Sequence, residues 1–187
     1  MSGSVEPSES DAALIARAKR GDAQAYGHLY QRYADAMYRY IRTRVSDDHT
    51  AQDMTENVFL RAYESLGRYR ERGLKFSAYL YQVARHLVID HYRAAQDELG
   101  LNEAESRSGG GRGMDERFIE REQLGVVKRA LDRLSEDYQE VIRLRVILEV
   151  PTAEAAEWMK RSPGAVRVLL HRALNALRRE IEREDEN

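Results

Sequence analysis

The chain has 187 residues, with 30 Lys plus Arg, 32 Asp plus Glu, three Pro and no Cys. The length suits one ordinary domain or two small ones. The absence of Cys excludes a disulfide scaffold, a Cys-ligated zinc site and a thiol nucleophile. No apolar run approaches the ~18 residues of a membrane-spanning helix. The stretch Met1 to Asp11 is polar and acidic, so no secretory signal is expected. A charged fraction of 33% with scarce Pro favours solvated helices over sheets.

The net charge of −2 hides an uneven distribution. Between Trp158 and Arg179 stand Lys160, Arg161, Arg167, Arg172, Arg178 and Arg179, with no acid among them. The tail 180–187 then turns acidic. A concentrated basic patch binds phosphates whatever the total charge, although a solvated helix face has the same composition.

The first block reads as four helices. The first covers about Asp11 to Arg20 and stops at Gly21. Asp22 can cap the second, in which Tyr26, Leu29, Tyr30, Tyr33, Met37, Tyr40 and Ile41 recur at helical spacing. Asp47 or Asp48 can cap the third, with Met54, Val58, Ala62 and Leu66 on one stripe and Gly67 as its stop. A basic aromatic loop, 68–76, leads into the fourth, whose buried face is Leu80, Val83, Ala84, Leu87 and Val88. Residues 97–115 are acidic and Gly-rich with few apolar side chains, the composition of a flexible linker.

The second block also reads as four helices. Ile119, Val126, Val127, Ala130, Leu131 and Leu134 mark the first. Ser135 can cap the second, which is anchored by Val141, Ile142 and Leu148. Pro151-Thr152 breaks the chain before a short helix, Ala153 to Met159. Ser162-Pro163 is a strong start signal for the last helix, with Val166, Leu169, Leu170, Ala173, Leu174 and Leu177 turned inward.

Two constellations point to nucleic acid. Residues 152–179 have the parts of a helix-turn-helix: a short helix, a tight turn and a longer basic helix. Gly164 leaves room for close backbone approach, and the amides from Ser162 to Ala165 suit a phosphate. Arg167, Val168, His171 and Arg172 point away from the inward stripe by exclusion, and an Arg there can read guanine or hold a phosphate. The second constellation joins Arg68, Arg70, Arg72, Lys75, Arg85 and Arg93 to the rings of Tyr69, Phe76, Tyr79, Tyr81 and Tyr92. Cations that track a backbone and aromatics that stack unpaired bases suit a single strand. Phe76 and Tyr79 serve equally well as supports of the fold. A third face, around Asp53, Glu56, Asn57, Phe59 and Leu60, mixes acids and amides with apolar groups and can dock a partner helix.

The order of these pieces resembles the extracytoplasmic-function (ECF) sigma factors of bacterial RNA polymerase. The stretches that carry the likeness are 16–30 (ARAKRGDAQAYGHLY), 51–63 (AQDMTENVFLRAY), 76–93 (FSAYLYQVARHLVIDHYR) and 153–178 (AEAAEWMKRSPGAVRVLLHRALNALR). The resemblance implies an all-α chain of two small helical domains joined by a flexible linker. A sigma region 2-like domain would span 11–96 and a region 4-like helix-turn-helix domain 116–183. It implies core RNA polymerase docking at Asp53, Glu56, Asn57, Phe59 and Leu60. It implies minus-ten recognition and melting by Arg68, Arg70, Lys75, Phe76, Tyr79, Arg85, His86 and Arg93. The minus-thirty-five contact would fall to Ser162, Gly164, Arg167, Val168, His171 and Arg172. The partners it implies are core polymerase, promoter DNA as duplex and melted strand, and an anti-sigma protein. No cofactor, metal or covalent chemistry is expected, and the location implied is cytoplasmic. Lys160 stands where the family has a turn Gly, Val168 and Leu169 where Ser and Arg are common, Tyr79 for Trp, and His86 for Asn. A stand-alone helix-turn-helix regulator, or a helical scaffold with a decayed DNA site, would share the same second block.

Overall fold

The computed structural model describes residues 9–45, 47–70, 75–98 and 125–185, and every described element is helical. The chain divides into two compact units, Met1–Glu98 and Leu99–Asn187. The expected linker lies outside the described residues beyond Glu98, as do Arg72 and Ile119.

The first unit holds α1 (Asp11–Ala18), α2 (Ala23–Arg42), α3 (Asp48–Ser65), a 3-10 turn (Leu66–Arg68) and α4 (Phe76–Glu98). The starts of α1, α2 and α3 are each set by a local device. Ser10 accepts from the Ala13 amide, Asp22 from those of Gln24 and Ala25, and Asp47 from that of Thr50. These side chains satisfy amides that the first turn cannot satisfy itself. The Arg17 guanidinium adds a 2.7 Å ion pair to Asp22. Gly21 closes α1 at φ +91°, where its amide bonds Ala18 O and the next amide bonds Arg17 O. This is a Schellman closure with glycine in the left-handed position. Gly67 does not act this way: it keeps a negative φ inside the 3-10 turn.

Helix α2 packs against α1, α3 and α4, and α3 packs against α4. Leu14, Leu29, Met37, Ile41, Val58, Leu80 and Val88 fill the middle. Tyr40 and Tyr81 are also fully buried, their rings meeting edge to face at 5.0 Å. Tyr81 is therefore core, and Val83, expected inside, is half-buried.

The second unit holds α5 (125–132), α6 (Glu136–Ile142), a π-helical segment (Arg143–Ile147), α7 (Thr152–Trp158) and α8 (Pro163–Asp185). Ser135 precedes α6 without a side-chain cap, and α7 begins at Thr152, one residue earlier than expected. Both α6 and α7 pack on α8 around Val141, Leu144, Ala155, Trp158, Val166 and Ala173. A polar group lies among them: Glu140 and Arg143 are buried 3.5 Å apart, and Arg143 also donates to Gln139. The widened π turn draws Leu144 inward and leaves Val146 and Ile147 half exposed.

Candidate nucleic-acid interface

The helix-turn-helix is built on α7 and α8. The turn between them closes by the same device that ends α1. The Lys160 amide bonds Glu157 O at 3.2 Å and the Arg161 amide bonds Ala156 O at 2.9 Å. The residue in the left-handed position is Lys160, at φ +54°. The strain expected for a side chain in place of glycine is present. Arg161 leaves the turn to pair with Asp137 on α6 at 2.5 Å, so it belongs to the scaffold.

Ser162 caps α8 by accepting from the Ala165 amide at 3.1 Å. That amide is thereby taken, and Pro163 has none, which leaves fewer donors at the helix start than the sequence suggested. A Cβ at Gly164 would meet only the Ser162 hydroxyl, at 4.0 Å. Nothing in the fold demands glycine there, so the space it leaves opens outward. Beyond the cap, Arg167, Val168, His171 and Arg172 are all exposed and fall on one arc of the helix with Gly164 and Asn175. Asn175 and His171 lie 3.1 Å apart across one turn. Val168 is 51% exposed, an apolar group among cations. Leu174, expected inside, is 42% exposed at the edge of this arc. Arg178 pairs with Glu182 at 3.0 Å, which leaves the positive charge concentrated in the first half of α8.

The second surface is the stretch from Arg68 into α4. Arg68 and Arg70 are exposed on either side of buried Tyr69. Tyr69 packs on Phe76 at 5.6 Å and on Tyr79 at 5.0 Å, and Phe76 meets Tyr33 at 6.0 Å. Phe76 is 1% exposed, so of the two roles open to it the structure favours support of the fold. Tyr79 is half-buried, its hydroxyl bonded to that of Ser65. On α4, His86 and Arg93 are exposed on the stripe that begins at Tyr79, while half-buried Arg85 is one residue step, about 100°, aside. The His86 Nδ1 lies 2.7 Å from the Gln82 carbonyl oxygen, so Nδ1 carries the proton it donates. Lys75, exposed, stands just before α4.

The third surface lies on α3. Asp53, Glu56, Asn57 and Leu60 are exposed on one face. Phe59 lies beneath it, 3% exposed and packed 4.7 Å from Tyr30. Tyr63 and Tyr30, 45% and 39% exposed, extend this face beyond the docking residues expected from the sequence; Tyr63 ends the stretch 51–63 and Tyr30 the stretch 16–30, both of which carry the resemblance, and Tyr30 also belongs to the helical repeat of α2. Beside them a groove of about 410 Å³ between α2 and α3 is lined by Tyr30, Asp35, Tyr38, Gln52 and Glu56. Burial raises the Tyr26 hydroxyl above its ordinary value, and it donates to the Phe59 carbonyl at 2.5 Å, fixing α2 to α3 at this face. Among the described residues, no three His, Asp or Glu side chains gather into a metal-binding group, and no helix is long and apolar enough to cross a membrane.

The family model for sigma-70 region 2 matches residues 29–98, and that for sigma-70 region 4 matches 124–177. The chain is 34% identical to the ECF RNA polymerase sigma factor BldN of Streptomyces coelicolor, over 91% of this chain and 67% of that protein. It is similar in fold to CnrH, solved in complex with the cytosolic domain of CnrY, at 24% identity and TM-score 0.65, covering 93% of this chain and 98% of that one. It is also similar in fold to the sigma factor RpoE of Bartonella quintana, solved with the anti-sigma factor NepR, at 18% identity and TM-score 0.56, covering 84% and 96%.

Proposed function

The chain belongs to the ECF RNA polymerase sigma factors, and from that premise we propose how its three exposed surfaces divide the work of directing RNA polymerase to promoters. The observation that carries the reading is the arc on α8. Gly164, Arg167, Val168, His171 and Arg172 are gathered, exposed, on the first half of a helix that follows a tight turn. That half of α8 enters the major groove of the minus-thirty-five element. Arg167 and Arg172 supply guanine or phosphate contacts, Ser162 the helix-start contact, and Val168 an apolar contact with a thymine methyl.

The α3 face, Asp53, Glu56, Asn57 and Leu60 with Tyr30 and Tyr63, docks core polymerase. An exposed apolar patch rimmed by acids is the composition of a protein interface. Arg68, Arg70, Lys75, His86 and Arg93 hold the melted minus-ten strand, with Arg85 at the border and Tyr79 as the accessible ring. Phe76 supports that surface from below. No bond is made or broken by this protein, which is not an enzyme; strand opening is driven by binding energy for unstacked bases. The protein works where the polymerase is, in the cytoplasm. An anti-sigma protein covering the same basic faces would hold it inactive.

Run-off transcription with added core polymerase tests the reading. The wild type should confer promoter-specific initiation. Arg167→Ala should reduce it strongly, and the double reversal Asp53→Lys, Glu56→Lys should abolish polymerase binding with helicity unchanged. Specific gel-shift binding to duplex DNA without any effect on polymerase would instead make the chain a stand-alone regulator.

A further inference from the structure

Lys19 stands at the end of α1, on none of the three surfaces, and yet reaches across fifty residues to the second one. Its ammonium donates to the Tyr69 carbonyl oxygen at 2.6 Å and lies 5.8 Å from the centre of the Tyr69 ring. The amide and the ring of Tyr69 are engaged as well. Its amide bonds Ser65 O and Leu66 O at 3.2 and 3.1 Å, and its ring packs between Phe76 and Tyr79. A carbonyl at the exit of a 3-10 turn has no partner within that turn. A charged donor makes a stronger bond to it than a neutral one, and the ring face adds attraction for the same cation.

The position of this contact gives it a consequence beyond packing. Tyr69 is the buried residue between exposed Arg68 and Arg70. Whatever fixes its carbonyl fixes the direction in which those two guanidinium groups leave the core. The other end of the contact is itself rigid. Arg17 on α1 pairs with Glu9 at 2.6 Å and with Asp22 at 2.7 Å, and Asp11 accepts from both Arg32 and Tyr33 of α2. The aromatic group continues from Tyr33 through Phe76 to Tyr69.

We infer that Lys19 is a positioning residue for strand opening: from α1 it holds the Tyr69 carbonyl and so sets the frame on which Arg68 and Arg70 meet the melted strand. This inference rests on the proposed role of that surface in minus-ten melting. It asks for no contact between Lys19 and DNA, and it gives α1, otherwise a purely structural helix, a part in promoter opening.

The test uses full-length protein with core polymerase on a promoter that the holoenzyme transcribes in the run-off assay. Lys19→Met keeps the aliphatic stem and removes the donor, whereas Lys19→Arg keeps the charge and a donor. Because Lys19 is exposed, neither change leaves a void. Permanganate reactivity of the minus-ten thymines should fall about fivefold for Lys19→Met, the net scale of one ordinary hydrogen bond, as suits an exposed donor, and return to within about twofold for Lys19→Arg. Polymerase affinity, helix content and the salt slope of promoter binding should stay at wild-type values. Normal opening by Lys19→Met overturns the inference. So does a salt slope reduced by about one, the mark of a direct phosphate contact, and so does a loss of opening matched by a loss of polymerase affinity or of fold. The double variant Arg68→Ala, Arg70→Ala is measured beside it. If that variant opens the promoter normally, the strand-binding reading fails; if only Lys19→Met does, the reading stands and the role of Lys19 is wrong.

Discussion

Gly21 and Lys160 end their helices with the same pair of backbone bonds, and only the glycine is suited to the position. Gly21 and Lys160 each sit in the left-handed region where a helix closes, at φ +91° and +54°. Glycine takes that conformation without steric cost, while lysine brings a Cβ close to a carbonyl. Replacing Lys160 by Gly should stabilise the second unit by about 1 kcal/mol, raising its melting temperature by about 4–8 °C. Lys160→Ala should bring no such gain, because alanine keeps the Cβ. Chemical denaturation of the three proteins decides between them. Phe76 makes the opposite case at the same scale. Its ring is 1% exposed between Tyr33, Tyr69 and Tyr79. Phe76→Ala should therefore cost about 3–5 kcal/mol of stability in the first unit, read as a lower denaturation midpoint. Any transcription defect of that variant follows from the fold before it says anything about stacked bases.

At the scale of elements, the carboxylate caps tie helix starts to pH. The amide of Ala25 and the Arg17 guanidinium hold the Asp22 carboxyl below its ordinary value, and the amide and hydroxyl of Thr50 do the same for Asp47. A carboxyl lowered in the folded state stabilises the fold fully above its unfolded value, near 3.9, and loses that contribution as pH falls through the folded value. Asp22→Ala should thus unfold at lower urea than wild type at pH 7, with the gap closing in strongly acidic buffer. These caps were legible in the sequence because each is a contact within three residues of chain. The inward stripes were legible because burial follows the helical period. What stayed hidden depends on departures from that period or on neighbours remote in sequence. The π turn at Arg143–Ile147 shifts the phase, which is how Val146 and Ile147 come out while Leu144 goes in. Glu140 and Arg143, charged residues that the apolar period does not mark for the interior, supply each other's partner in the core. In the site, the exposed arc of α8 followed from exclusion alone. Phe76, an aromatic ring among cations, fitted two roles equally, and only the packing of Tyr33 and Tyr69 around it separated them.

At the scale of the whole molecule, a chain of net charge −2 presents cations on the faces proposed to meet DNA and acids on the face proposed to meet polymerase. Promoter binding by the holoenzyme should therefore weaken steeply as salt rises, although the free protein is slightly acidic. A variant that loses a phosphate-contacting arginine, such as Arg172→Ala, should lower the salt slope by about one and weaken all sequences alike. An altered base preference at a single promoter position would instead make Arg172 a reader of guanine. Titrations from low to moderate salt on two promoters distinguish these outcomes. The two units, Met1–Glu98 and Leu99–Asn187, each close around their own buried side chains. Damage to one core therefore need not spread to the other. An allele that ruins the packing around Trp158 and Val166 would leave α1 to α4 intact, still able to occupy polymerase and unable to choose a promoter. In a cell carrying both alleles, such a chain would compete with its healthy counterpart for a limited pool of enzyme, so its inheritance would be dominant.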